Sequence, residues 1–247
     1  MMGPVDEFST DNTALGWATA AQGDTFIKIG VGVLLKWENV AYHHSKDYPI
    51  VDAGKWTVKQ NKDSVEFTQE LNDPKSHYGY IYRKVVRLAG GKPQMVVEHS
   101  LKNTGPKAIQ TTVYNHNFLE LDQQGPVAGV TITVPFQIQS ARPPAKDVAE
   151  IRGNQIVYLR ALQNEDRLTS PLKGFGADAK DFDIRIENSR AGAGVRVTGD
   201  HPLSNLSLWS IRSTMAVEPF HSMTIEPGQE SKWNVTFEYF TLPATPK

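Results

Sequence analysis

The feature that most constrains the fold is the spacing of apolar residues, which recur with period two in short β-branched or aromatic runs along most of the chain. Val65–Leu71 begins with alternating faces, and Tyr78–Leu88 carries Tyr80, Tyr82, Val86 and Leu88 among charged residues. Further runs lie at Met95–Leu101, Ala108–Tyr114, Val130–Val134, Gln155–Leu162, Phe182–Glu187, Val195–Val197, Leu206–Ile211, Met223–Ile225 and Trp233–Phe240. Successive side chains of a strand point to opposite faces, so this alternation predicts half-buried strands. Turn chemistry separates them at Gly90-Gly91-Lys92-Pro93, Asn103-Thr104-Gly105-Pro106 and Glu226-Pro227-Gly228-Gln229. Helical periodicity is confined to one turn expected at Ala145–Glu150, within a long loop expected over Gln139–Gly153. About a dozen closely spaced strands without interleaved helices predict an all-β chain, a large antiparallel sandwich or barrel. The 247 residues suit one domain, 1–247, with a core large enough to need no staples.

Composition removes several function classes. With no cysteine there is no disulfide framework and no thiolate metal site. A net charge of −1 and a pI of about 6.7 leave no basic footprint for nucleic acid. No apolar run approaches the roughly 20 residues of a membrane-spanning helix. Met1–Gly16 is polar and acidic, without the layout of a secretion leader, so the expected location is the cytoplasm. Nothing in the sequence speaks to oligomeric state. The pair His43-His44 suggests a metal ligand, but adjacent strand residues point to opposite faces, and the expected metal content is none. Lys28-Ile29-Gly30-Val31-Gly32 lacks the spacing of a phosphate loop; its glycines mark a bulge or a close backbone approach.

Two polar interruptions of apolar runs carry the chemistry. One is Tyr114-Asn115-His116-Asn117-Phe118-Leu119, and the other is Ala216-Val217-Glu218-Pro219. Together they offer an imidazole and a carboxylate, enough to move a proton onto one side of a substrate and off another. Histidine suits the acid role because its ordinary pKa is near 6.5. Taken singly, His116 also fits a structural histidine, and Glu218 a strand-edge surface carboxylate. Asp200 also fits an Asx-turn before His201-Pro202, and His77 an ordinary loop residue. His221, three residues after Glu218, is expected on the opposite face of a regular strand.

The order of three motifs resembles the galactose mutarotase-like (aldose 1-epimerase) superfamily. They are Tyr-Asn-His-Asn-Phe after an Asn-Thr-Gly turn, an aspartate followed by a Trp strand, and Val-Glu-Pro leading to Pro-Gly-Gln and Trp. The resemblance covers Val65 to Phe240. It implies a β-supersandwich of two large antiparallel sheets with a sugar cleft on a concave face. It also implies His116 as general acid, Glu218 as general base, and Asp200, His77, Asn115 and Trp209 as sugar-binding residues, with Tyr80 a second stacking candidate. The implied activity is interconversion of aldose anomers by ring opening, without metal or redox cofactor. The implied partner is a small-molecule sugar, free or phosphorylated, with Arg83, Arg87 and Arg212 as candidate phosphate ligands. The acid and base are expected several ångströms apart with a pyranose between them. Tyr78 interrupts the family's His-Gly element after His77, and Gly3–Phe8 reads as a mid-domain loop. Phe26–Leu34 has no counterpart in the well-studied mutarotases, which sets the chain in a separate branch. Two alternatives remain open on the sequence: a non-catalytic carbohydrate-binding protein on the same scaffold, and a cupin-like metal enzyme using His77, His99 and His116.

Overall fold

A computed structural model describes residues 4–121 and 123–243. Its wider sheet has ten strands in the order β11 (Ala149–Arg152), β12 (Gln155–Tyr158), β10 (Val130–Thr133), β14 (Asp183–Asn188), β15 (Ala193–Gly199), β18 (Glu230–Thr241), β8 (Gln94–Asn103), β7 (Tyr78–Leu88), β6 (Ser64–Asp73), β5 (Lys55–Gln60). A second sheet has five: β1 (Pro4–Ser9), β9 (Ile109–Asn117), β17 (Met215–Ile225), β16 (Asn205–Ser210) and β13 (Leu168–Leu172). A small third sheet joins β2 (Thr25–Lys28), β3 (Gly32–Leu35) and β4 (Ile50–Asp52). All these pairings are antiparallel. No helix among the described residues is long and apolar enough to cross a membrane.

The period-two residues of the two large sheets meet face to face. Leu206, Leu208 and Val217 of the narrower sheet pack with Val97, Ile184, Ile186, Val195, Val197, Val235 and Phe237 of the wider one. Each such side chain contributes roughly 1.5–3 kcal/mol on burial. Nearby, Ile109, Val113 and Ile225 join Leu101, Tyr80 and the fully buried Trp233. The small sheet is sandwiched in turn. Ile27, Ile29 and Val33 cover Leu71 and Tyr80, while Phe26 and Leu34 pack with Trp17, Tyr42 and Tyr48 on the other side.

Several local expectations are revised. Pro4–Ser9 is not a loop but the edge strand β1, paired along its length with β9. Short-range patterning is weak there, and the partner lies about a hundred residues away. The helical turn expected at Ala145–Glu150 is a single non-helical turn, in which Val148 N–H and Ala149 N–H donate to Ala145 O at 2.9 and 3.1 Å before the chain extends as β11. That strand shortens the loop expected over Gln139–Gly153. The one helix among the described residues is the 3-10 turn Ala179–Asp181, capped by the Asp178 carboxylate accepting from Lys180 N–H. Gly32 does mark a close approach: it has φ +149°, and a Cβ there would lie 2.3 Å from Asp52 O.

Candidate functional site

Pro219 creates the site. β9 and β17 pair from Ile109↔Ile225 to Tyr114↔Phe220, and the ladder then stops. Proline has no N–H to donate, so it cannot continue a ladder in a strand with partners on both sides. Asn117 Nδ2 bridges part of the gap by donating to Val217 O at 3.2 Å. The strands meet again only at the bridge Leu119↔Met215. In this interruption His116 and Glu218 point to the same outer face, with His116 Nε2 3.2 Å from Glu218 Oε1.

The neighbouring strands complete that face by register. β1 places Val5 beside His116 and Glu7 beside Tyr114. β16 places Ser207 beside Glu218, Trp209 beside Ala216 and Asn205 beside Phe220. The imidazole stacks on Phe118, with centroids 3.8 Å apart, and meets Trp209 edge-on at 5.3 Å. Tyr114 stacks on Phe220 at 4.6 Å. An acid–base pair is thus set among aromatic rings, with hydroxyl and amide groups at its margin.

Electrostatics bring the two groups toward one another. Burial pushes the Glu218 carboxyl up to about 7, and the negative charge of Glu7 pushes in the same direction. Burial lowers the His116 pKa; Glu7 opposes that shift and His44 reinforces it. Both shifts favour the neutral forms, a protonated carboxyl and an unprotonated imidazole, and two groups in contact titrate as a pair. His116 Nδ1 is buried without a hydrogen-bond partner. Glu7 stays ionised: burial raises its pKa, but Tyr114 Oη donating at 2.7 Å and Lys28 Nζ at 2.9 Å outweigh that.

The inner face of the same strands carries a second polar cluster. Asp6 accepts from Lys84 Nζ at 2.5 Å, Asn115 Nδ2 at 2.5 Å and Tyr82 Oη at 3.3 Å, and it bonds His99 Nε2 at 3.1 Å. Burial would raise the Asp6 pKa, but His99 and Lys84 together hold it well below the usual carboxylate range. The His99 ring lies parallel to Trp233, 4.9 Å away.

Of the residues singled out from sequence, His116, Glu218 and Trp209 come together. Asn115 does not join them: it faces inward and holds Asp6. Asp200 is tied to Asn234 N–H and Nδ2 and to His201 Nδ1, and none of these bonds reaches the pair. His77 is an exposed residue with φ 64° in the β6–β7 turn. Tyr80 is fully buried and donates to Gln69 Oε1, so it offers no stacking surface. His221 faces inward as expected, against His201 and Trp233. His77, His99 and His116 lie in three different surroundings, which overturns the cupin-like reading. No cluster of three potential metal ligands occurs among the described residues. Arg83 and Arg87 are paired with Glu66 and Glu98 on the wide sheet. The acid and base are in direct contact, not held apart by the width of a sugar ring.

Sequence reading missed Glu7, Lys28, Tyr114, Phe118 and Phe220. Tyr114 and Phe118 were within reach, because residues two either side of His116 share its face in a strand. Glu7 and Lys28 gave no local signal, since long-range pairing alone brings them in.

Comparison with known proteins establishes the architecture. No family model and no curated protein matches the sequence. In structure the chain is similar to a putative aldose 1-epimerase from Escherichia coli K12, with TM-score 0.59 and 14% identity over 93% of this chain and 81% of that one. It is also similar to a galactose mutarotase-like protein from Clostridium acetobutylicum, with TM-score 0.58 and 12% identity over 97% and 80% of the two chains. Another such protein, from Lactobacillus casei, gives TM-score 0.56 and 13% identity over 96% and 85%. The fold is the galactose mutarotase-like sandwich.

Proposed function

We propose that this chain is a sugar mutarotase of the aldose 1-epimerase type, acting on a small-molecule aldose. The observation that carries the reading is the His116–Glu218 contact of 3.2 Å on an aromatic-walled face, with the carboxyl poised at about 7. The anomeric hydroxyl O1 and the ring oxygen O5 are bonded to the same carbon, so the two groups serving them must be neighbours. Glu218, as carboxylate, takes the proton of O1–H. The C1=O1 double bond forms as the C1–O5 bond breaks, and His116, as imidazolium, delivers its proton to O5. The pair then holds its proton on the carboxyl. Rotation about C1–C2 and reversal of the same transfers close the ring from the other face, giving the other anomer. The chemistry calls for no metal or redox cofactor. Trp209, Phe118, Tyr114 and Phe220 supply apolar surface for the C–H faces of the sugar, and Ser207 and Asn205 supply hydroxyl partners. The fold shared with proteins named as aldose 1-epimerases supports the same reading.

The second reading is a carbohydrate-binding protein without turnover on the same scaffold, for which the aromatic rings around the pair would serve equally well. Saturation-transfer NMR on a panel of free and 6-phosphorylated aldoses separates the two. The expected result is accelerated anomer exchange that falls by about 10²–10⁴-fold in Glu218→Gln. Exchange that survives the substitution overturns the role of Glu218. Line broadening of one sugar without any exchange supports the binding protein.

A further inference from the structure

One edge of the wider sheet is both unpaired and apolar. β5 is the last strand there, and among the described residues it pairs only with β6. Five of the ten exposed large apolar side chains among the described residues gather at this edge: Ile50 and Val51 of β4, Trp56 and Val58 of β5, and Val5 of β1. Apolar residues scattered singly over a surface are ordinary, whereas a cluster of them marks a contact site. By register Trp56 and Val58 share the sheet's inner face with Gln69 and Phe67, yet they are 43% and 59% exposed. Beside Trp56 lies an apolar trough of about 360 Å³, lined by Phe67, Tyr82 and Val86. The trough is on the opposite side of the narrower sheet from His116 and Glu218, so its use is independent of the proposed reaction.

The outer face of the same strands carries rows of charge that alternate in sign toward the edge. Glu98 on β8 pairs with Arg87 on β7, and Arg83 on β7 pairs with Glu66 on β6. Glu66 and Glu70 on β6 then meet Lys59 and Lys55 on β5 at 3.7 and 4.0 Å. The last row is therefore basic, and its two lysine side chains are 68% and 75% exposed. Opposite charges across neighbouring strands stabilise their pairing, and like charges destabilise it. A strand added beside β5 thus needs carboxylates opposite Lys55 and Lys59, and apolar side chains opposite Trp56 and Val58. The required segment reads acidic, apolar, any residue, apolar, acidic. None of the chain's other edge strands, β1, β2, β4, β11 and β13, carries two carboxylates four residues apart. A second copy of β5 would bring another basic row. The complementary strand therefore has to come from a different protein.

We propose that β5 is a docking edge for an extended, acidic segment of a partner protein, which adds to the wider sheet as an eleventh strand. Main-chain hydrogen bonds along β5 hold such a segment, its carboxylates meet Lys55 and Lys59, and its apolar side chains cover Trp56 and Val58. The probe is a fluorescein-labelled peptide, Gly-Glu-Val-Thr-Val-Glu-Gly, whose binding is read by fluorescence anisotropy. A second peptide has glutamine in place of both glutamates. Two more are N-methylated on one or the other alternate set of residues, because an antiparallel strand bonds each neighbour through alternate residues. The expected result is saturable binding about tenfold or more tighter for the acidic peptide than for its glutamine version. It weakens about tenfold in Trp56→Ala, and only one of the two methylated peptides still binds. No binding, equal affinity of the acidic and glutamine peptides, or equal affinity of the two methylated ones overturns the proposal. So does sedimentation showing a dimer that the acidic peptide fails to dissociate, which assigns the edge to a second copy instead.

Discussion

Asp6 and Asn115 point into the molecule from β1 and β9, while their chain neighbours Glu7 and His116 point out of it. On the inner side every requirement of a buried carboxylate is met: an ammonium, an imidazole, an amide and a phenol converge on Asp6, and it stays ionised. On the outer side the Glu218 carboxyl has one histidine, a negative neighbour in Glu7, and a pKa raised to about 7. Both clusters are largely buried, and in each the histidine Nδ1 has no hydrogen-bond partner; they differ in how many donors reach the carboxylate. A carboxylate gripped by several donors cannot exchange a proton near neutrality, whereas one desolvated beside a single imidazole can.

The comparison can be broken first at Asp6. Asp6→Asn keeps the shape and removes the charge from beneath Lys84 and His99, and the expected cost is about 3–5 kcal/mol in urea denaturation. A loss below about 1 kcal/mol would place Asp6 with ordinary surface ion pairs. Because its folded pKa is depressed, Asp6 contributes stability that is present above its ordinary value of 3.8 and is lost as the pH falls below it. The substituted protein should accordingly show a flatter acid limb.

Glu218 should behave with the opposite sign. Its folded pKa is raised from 4.5 to about 7, so its contribution is fully present below 4.5 and is lost as the pH rises through 7. Glu218→Gln is expected to gain on the order of 3 kcal/mol relative to wild type between about pH 4 and pH 8, measured by urea denaturation at each. A substitution that lowers stability across that range would make Glu218 a structural residue.

Three smaller effects sharpen the contrast. Turnover needs one proton on the pair, so it should decline as the pH rises through about 7 and also once the pH falls below the lowered pKa of His116. Glu7→Gln removes the negative charge that helps raise Glu218, and the alkaline limb should move to lower pH by less than about one unit. An unmoved limb in the pH–rate profile would show that Glu7 does not act on the pair. Asn115→Ala should cost only about 1–2 kcal/mol, because Asp6 keeps Lys84 and His99. A cost as large as that of Asp6→Asn would make the amide the central tie.

Period-two patterning made the strands that carry His116, Glu218 and Trp209 legible, because each run of apolar residues is its own signal. The same rule, applied one residue over, places Asn115 on the opposite face from His116; a family resemblance had drawn it into the site instead. Pro219 was visible as a break, but its effect depends on β9 lying alongside, which no local window contains. β1 is the clearest loss. Val5 and Phe8 flank two acidic residues and read as a loop, and only the register with β9 makes them a strand that delivers Asp6 to one face and Glu7 to the other. Asp200 and His77 sat in motifs whose spacing matched, while their local bonds commit them to Asn234 and to a turn.

The pairing of β1 with β9 also has a consequence in time. Ser9↔Thr112 and Pro4↔Asn117 are contacts between segments made far apart during synthesis, and β17 then closes on β9 after a second interval of similar length. At roughly 5–20 residues per second, the first strand waits about 5–20 s for its partner to be made. Topologies dominated by such distant pairings fold slowly. The face bearing His116 and Glu218 is therefore assembled late, from three separate passages of the chain, and the edge of β1 is open to mispairing until then.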